Sequence, residues 1–211
     1  ECISNGVQIF TNAAINSLES NNDKWILNSK IQSEIIINAS GAWADNIARL
    51  ANLKPKNIQP FKRSMARVEI DTSHNLSSLP VLFGSDDTWY AKPDAGSMIV
   101  SPADASPCEP HDAWAHEEDI ALGIYNFEKM VETKVKKLTS NWAGLRSFAP
   151  DQSLVIGPDA DATNFFWLAG QGGYGFQTCL AASQIAEDIL FNQTSQVPNS
   201  IIEKFSPFRF A

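Results

Sequence analysis

Residues 165–190 read FFWLAGQGGYGFQTCLAASQIAEDIL: an apolar run, then Gly170, Gly172 and Gly175 in the spacing G-x-G-x-x-G, then a helical pattern. Strand, tight turn and helix are the context a dinucleotide-binding fingerprint demands. A true fingerprint opens a β-α-β unit and places an acidic residue about 20 positions on to hold a ribose. Here position 195 is Ser, and no apolar strand follows the helix. The spacing therefore predicts a strand, a glycine turn and a helix, without the rest of a nucleotide fold. Leu180, Ala181, Ile185, Ala186, Ile189 and Leu190 are expected to form the buried face of that helix, with Thr178 as its N-cap. Its first turn offers unpaired N–H groups and a positive dipole end, where an anion or an electron-rich carbonyl can dock.

The chain before this point is mostly strand. GVQIFTNAAINSLES, DKWILNS and SEIIINAS are β-rich segments separated by Asn, Asp and Ser clusters, a meander of three or four strands. The last runs into GAWADNIARLAN, where Trp43, Ile47 and Leu50 recur at helical spacing. LKPKNIQP, with two prolines and no periodicity, reads as a linker. A second sheet is expected from RSMARVEID, PVLFG, TWYAKP and SMIVSP, the last two joined through Asp94-Ala-Gly96 as a hairpin. Residues 116–135 have acids in the first turn, one apolar stripe through Ile120, Ile124, Phe127, Val131 and Val135, and lysines at the close, which predicts a helix. KLTSNWAGLRSFAPD and SLVIGP follow as strands.

Composition excludes several classes. A 211-residue chain that is 44% hydrophobic and 19% charged is globular. Its longest apolar runs fall far short of the roughly 20 residues of a membrane helix, so no transmembrane segment is expected. A net charge of −8, with no basic cluster larger than KVKK, argues against a nucleic-acid partner. That charge weakly favours a cationic substrate by long-range attraction. Cys2, Cys108 and Cys179 lack C-x-x-C spacing, and His74, His111 and His116 lack metal-ligand spacing, so neither disulfides nor a metal site is expected and the histidines read as solvated. Six tryptophans are scattered through apolar runs, as core residues would be. Asn38 and Asn192 open glycosylation triplets unsupported by any secretion signal. The cytoplasm is the default location. Residue 1 is Glu, and the chain reads as cut from within a longer protein.

Four segments in register, IIINASGAWADNIARLA, WYAKPDAGSMIVSPADASP, NWAGLRSFAPDQSLVIGPDA and FFWLAGQGGYGFQT, resemble the C-terminal half of FAD-dependent amino-acid oxidoreductases of the D-amino-acid oxidase and glycine or sarcosine oxidase superfamily. The likeness covers residues from about 6 to 190 and is greatest to FAD-dependent D-arginine dehydrogenases. It implies an α+β fold: an incomplete α/β FAD-binding domain plus a substrate domain with a largely antiparallel sheet flanked by helices. The domains implied are 1–52 (partial FAD-binding), 53–145 (substrate-binding) and 146–211 (return to the FAD domain). The phosphate-binding β-α-β unit is expected upstream, so this chain alone is expected to be inactive, its partner being the N-terminal half of its own FAD domain.

The resemblance also assigns residues. Gly170, Gly172, Gly173, Tyr174, Gly175, Gln177 and Thr178 would lie along the flavin, with the helix start aimed at its N1–C2=O edge, and Gly41 would pass near the ADP portion. Arg146 would clamp the carboxylate of an amino-acid substrate, Tyr90 would add a hydrogen bond there, and Arg63 would reach the substrate as well. The implied reaction is oxidative deamination of a D-amino acid, with glycine- or sarcosine-type oxidation as the alternative.

Overall fold

The computed structural model describes residues 1–21, 23–73 and 75–210. In chain order the regular elements are β1 (Leu18–Asn21), β2 (Lys24–Leu27), β3 (Ile31–Ser33), β4 (Ile36–Asn38), α1 (Ala44–Leu50), β5 (Gln59–Ile70), β6 (Leu82–Phe83), β7 (Tyr90–Asp94) and β8 (Ser97–Ser101). They continue with α2 (Glu117–Met130), β9 (Val135–Phe148), β10 (Val155–Pro158), β11 (Phe165–Ala169), α3 (Gly175–Leu190) and α4 (Asn199–Phe205). This is a mixed α+β chain whose sheets are largely antiparallel. No helix among the described residues is long and apolar enough to cross a membrane.

Contacts divide the chain into two compact units. One comprises residues 1–56, 155–169 and 180–211; the other comprises 57–154 and 170–179. In the first, β1, β2 and β3 form an antiparallel meander, while β4 leaves it to pair in parallel with β11, itself antiparallel to β10. Trp25, Phe165 and Trp167 stack edge to face in the interior. Asn38 is buried, its amide donating to the Ala44 carbonyl and its oxygen accepting from Ser40, so it anchors the β4–α1 turn and is closed to glycosylation.

The second unit is built on the sheet β6-β7-β8-β5-β9. Along β5 burial alternates: Ser64, Ala66 and Val68 are buried, whereas Arg63, Met65 and Arg67 are only partly so. Period-2 alternation sends the two sets to opposite faces. The buried set joins Ala91, Met98 and Val100 against Ile120 and Phe127 of α2, forming one core. Gly123 lets this helix sit close, since a Cβ there would stand 2.8 Å from the Pro102 nitrogen. Between β7 and β8, Ala95 (φ 48°) and Gly96 (φ 82°) make the tight turn expected from the sequence.

Several sequence expectations are corrected. Residues 7–17 form no strand; Val7, Ile9 and Phe10 are exposed and no neighbouring strand pairs with them, and an unpaired β-rich run has no ladder to hold it. The residues read as linker, 53–60, already enter β5 at Gln59. Helix α2 ends at Met130, and Val135, assigned to its stripe, begins β9. Thr178 is not an N-cap: α3 starts at Gly175, and the Thr178 hydroxyl donates back to the Tyr174 carbonyl. Leu180 and Ala181 are exposed, and the buried residues of α3 are Ala182, Ile185, Ala186 and Asp188. Of the tryptophans, Trp25, Trp89 and Trp167 are core, but Trp43, Trp114 and Trp142 are exposed. His111 is partly buried, with Nδ1 2.7 Å from the Glu109 carbonyl; His116 is exposed, and His74 lies outside the described residues.

Candidate active site

The face of the five-stranded sheet turned away from α2 carries the predicted substrate residues. Directly opposed residues of antiparallel strands share a face. Phe61 pairs with Arg146, Arg63 with Gly144 and Met65 with Trp142 across β5 and β9. Tyr90 on β7 belongs to the same face, its hydroxyl reaching the Met65 sulfur at 3.4 Å. Thioether sulfur is a weak acceptor, so this hydroxyl keeps its capacity for a better partner.

Arg63 is fixed on two sides. Its Nε donates to the Asp104 carbonyl at 2.7 Å, and its guanidinium lies over the Tyr90 ring, 5.5 Å from the centroid. The Asp104 carboxylate is itself anchored, accepting from the Ser64 backbone N–H at 2.7 Å and the Ser64 hydroxyl at 2.8 Å. Lys62, one residue earlier and therefore on the α2 side, is held by Asp119 at 2.6 Å. Arg67, further along, is paired with Asp94.

Arg146 has no such counter-ion. Among the described residues it makes no ion pair, and its buried Nε has no hydrogen-bond partner. Its guanidinium stands 5.7 Å from the Phe148 ring centroid, and both line a cavity of about 300 Å³ with Gln59, Phe61 and Gln152. Burial, and after it the neighbouring positive charge of Arg63, pull the Arg146 pKa below the ordinary arginine value, opposed by the partial support of Tyr90, Asp104 and Tyr174. Arginine stays protonated through such a shift, so this is a cation held short of negative charge. An incoming carboxylate supplies both the charge and the two acceptors that the guanidinium fork matches.

The glycine turn meets this arginine in the same unit. Gly170 (φ 74°) and Gly172 (φ 53°) adopt left-handed conformations, and the Gly172 N–H donates to the Ser147 carbonyl at 2.9 Å. A Cβ on Gly172 would lie 2.4 Å from Cε1 of Phe148, and one on Gly173 would lie 3.4 Å from Nη1 of Arg146. The turn thus runs against the side chains of the cavity wall. Tyr174 donates its N–H to the Gln171 carbonyl and its ring is exposed, as is Gln177; Thr178 is partly buried. Gly175, Phe176 and Gln177 open α3, and among the described residues no backbone carbonyl accepts their N–H groups. Three free donors behind a glycine-rich turn are chemically suited to an electron-rich carbonyl. Gly41, in the other unit, has φ 58° with nothing within 4 Å of its Cβ position; it is a glycine of conformation rather than of crowding.

Asp104, Phe148 and Gln59 were missed by sequence reasoning. Phe148 was within reach, because two positions after Arg146 on a strand is the same face. Gln59 lay in the stretch read as a linker, and Asp104 left no local signal, since its place depends on which loop lies beside β5.

The family described as FAD dependent oxidoreductase (DAO) matches residues 1–189. The chain belongs to that family, whose cofactor is FAD. It is 25% identical over 214 residues to FAD-dependent oxidoreductase domain-containing protein 1 of Xenopus laevis, covering 92% of this chain and 40% of the relative. Among solved structures, glycine oxidase from Geobacillus kaustophilus superposes with a TM-score of 0.76 at 16% identity, covering 92% of this chain and 51% of that one. Iminodiacetate oxidase from Chelativorans sp. BNC1 gives a TM-score of 0.77 at 18% identity, covering 97% and 55%. The chain spans two fifths of the length of the curated relative and about half of each solved one.

Proposed function

We propose that this chain supplies the substrate face and the flavin-edge turn of an enzyme that oxidises D-amino acids. The observation carrying this reading is Arg146: a partly buried guanidinium without an acidic partner, facing a cavity walled by Phe61 and Phe148. Arg146 takes the substrate carboxylate in a two-pronged grip, and the Tyr90 hydroxyl, held only by a sulfur, turns to the same group. Fixing the carboxylate fixes Cα, so the bond to be broken is oriented before reaction. The two nearby guanidinium charges favour a substrate amine that enters in its neutral form. FAD held here would supply the two-electron acceptor for hydride from Cα as the amine lone pair closes C=N, and water would hydrolyse the imine to a 2-oxo acid and ammonia. The N–H groups of Gly175, Phe176 and Gln177 at the start of α3 would hold the carbonyl edge of that cofactor and favour negative charge there.

The names of the two solved relatives, a glycine oxidase and an iminodiacetate oxidase, refer to amines that bear a carboxylate, which supports this reading. The modest cavity also suits a second one, a glycine- or sarcosine-type oxidase.

The test uses the full-length protein loaded with FAD. Bleaching of the visible flavin band under anaerobic conditions is followed with D- and L-amino acids, glycine and sarcosine. D-amino acids should bleach the band, and Arg146→Met should lower kcat/KM about 100-fold, chiefly through KM. Bleaching that Arg146→Met leaves unchanged would remove the reading, and bleaching by glycine and sarcosine alone would select the second.

A further inference from the structure

Arg63 and Arg146 are diagonal neighbours on the open sheet face, at the corners of a rectangle completed by Phe61 and Gly144. Such diagonal backbone positions stand about 7–8 Å apart. Gly144 matters by having no side chain: a Cβ built there meets nothing within 4 Å, so the surface between the two guanidinium groups is an open trough. Arg146 makes no ion pair among the described residues, whereas Arg63 has Asp104 at 3.9 Å from its Nε, on the side away from its terminal nitrogens. The acid nearest Arg63 is Asp104, whose oxygens are already taken up by the Ser64 N–H and hydroxyl. Only Nε of Arg63 is engaged, by the Asp104 carbonyl; among the described residues nothing accepts from its two terminal nitrogens. The other charges near this face are matched, Arg67 with Asp94 and Lys62 with Asp119.

Two anchored guanidinium groups across one trough, each with donors to spare, ask for two anionic groups on one ligand. We propose that the preferred substrate is a dicarboxylate amino acid, its α-carboxylate on Arg146 and its second carboxylate on Arg63, both groups spanning the gap left by Gly144. This rests on the reading of Arg146 as the α-carboxylate clamp and narrows it. It also reverses the expectation, drawn from net charge alone, of a cationic substrate: the local field decides, because the overall charge is screened within about 10 Å in salt. A lysine- or arginine-like side chain in this trough would face Arg63 and be repelled.

The test compares acid and amide isosteres in the full-length, FAD-loaded protein: D-aspartate against D-asparagine, and D-glutamate against D-glutamine. The acid of each pair should have a kcat/KM about 10- to 100-fold higher. Arg63→Gln should remove that advantage by raising KM for the acids about 10- to 100-fold, so that the ratio of acid to amide kcat/KM falls to near one. Gly144→Val, which fills the trough and keeps both arginines, should also collapse the ratio of acid to amide kcat/KM. Binding gives a second readout: malonate should perturb the flavin spectrum at a concentration at least tenfold lower than acetate, and Arg63→Gln should erase the gap. Amides oxidised as well as acids, or an acid preference that Arg63→Gln and Gly144→Val both leave intact, would overturn this inference and leave the amino-acid reading standing. Failure of every amino acid to bleach the flavin would overturn both.

Discussion

Gly172 and Gly173 are adjacent, yet the structure asks different things of them. At Gly172 the backbone is left-handed, and a methyl group would intrude on the Phe148 ring at 2.4 Å. Neither neighbour can yield cheaply, because the ring is held edge to face by Phe61 at 5.7 Å and the turn is tied to Ser147. Gly172→Ala should cost about 1–3 kcal/mol, strain and overpacking together. At Gly173 a methyl group would meet only the far end of a flexible side chain, Nη1 of Arg146, at 3.4 Å. Gly173→Ala should leave the denaturant midpoint within error and instead weaken binding of a simple carboxylate severalfold. Equal midpoints for the two variants would contradict this assignment. The glycine spacing itself was plain in the sequence. Its meaning was not, because Phe148 and Arg146 come from a strand more than twenty positions away, and only the fold brings their side chains to the turn. Arg146, Tyr90 and Arg63 could be named from their motifs, whereas the trough at Gly144 could not, since it needs the β5–β9 register.

At the scale of elements, the end of α2 shows why a periodic pattern overran its helix. Val131 and Val135 continue the apolar stripe, yet the chain turns extended at Val131. Glu128, inside the last turn, fastens the reversal: its Oε1 accepts the Val135 N–H at 2.7 Å and its Oε2 pairs with Lys134 at 3.1 Å. Valine fits a strand better than a helix. A backbone donor waiting on a carboxylate then gives β9 its start, a bond seven residues back along the chain that periodicity does not reveal. The Val135 hydrogen bond first, and the Lys134 ion pair second, hold the Glu128 carboxyl below its ordinary value. A depressed folded-state pKa means stability that is present above the unfolded value and is lost as pH falls through the folded one. Glu128→Gln should therefore lower Tm relative to the parent near neutral pH, and the two melting curves should converge as pH drops below the usual glutamate range, about 4.3. A Tm gap that persists undiminished at pH 2 would show that charge at Glu128 is not what fastens this junction. By contrast, RSMARVEID was legible as a strand from its residue types, and all but its last residue lies in β5.

Over the whole molecule, each compact unit is assembled from separate stretches of chain, so its interior must be closed by contacts distant in sequence. In the unit containing β10 and β11 this closure is polar. Lys56, at the end of the first stretch, and Asp159, in the second, are almost completely buried and meet at 3.1 Å. Asp159 also accepts from the Trp167 indole at 2.8 Å and from the Asp161 N–H at 3.0 Å, and the Lys56 ammonium lies 5.6 Å from the Trp167 ring centroid. Every charge here is matched, which makes the site sensitive to losing one member: removing one partner of a buried pair strands the other at a cost of about 3–5 kcal/mol. Lys56→Met should destabilise by that amount, and Lys56→Met with Asp159→Asn, which keeps the indole bond but removes the stranded charge, should recover a large part of it. Hydrogen exchange in the full-length protein localises the effect. Protection should fall over residues 155–158 and 165–169, which bracket Asp159, while the β5–β8 pairing at Ala66, Arg67 and Val68 keeps its own, because that sheet is closed by a separate core under α2. Loss of protection spread evenly over both sheets would mean that the two units open as one cooperative body, and the assignment of this ion pair to a single unit would be withdrawn.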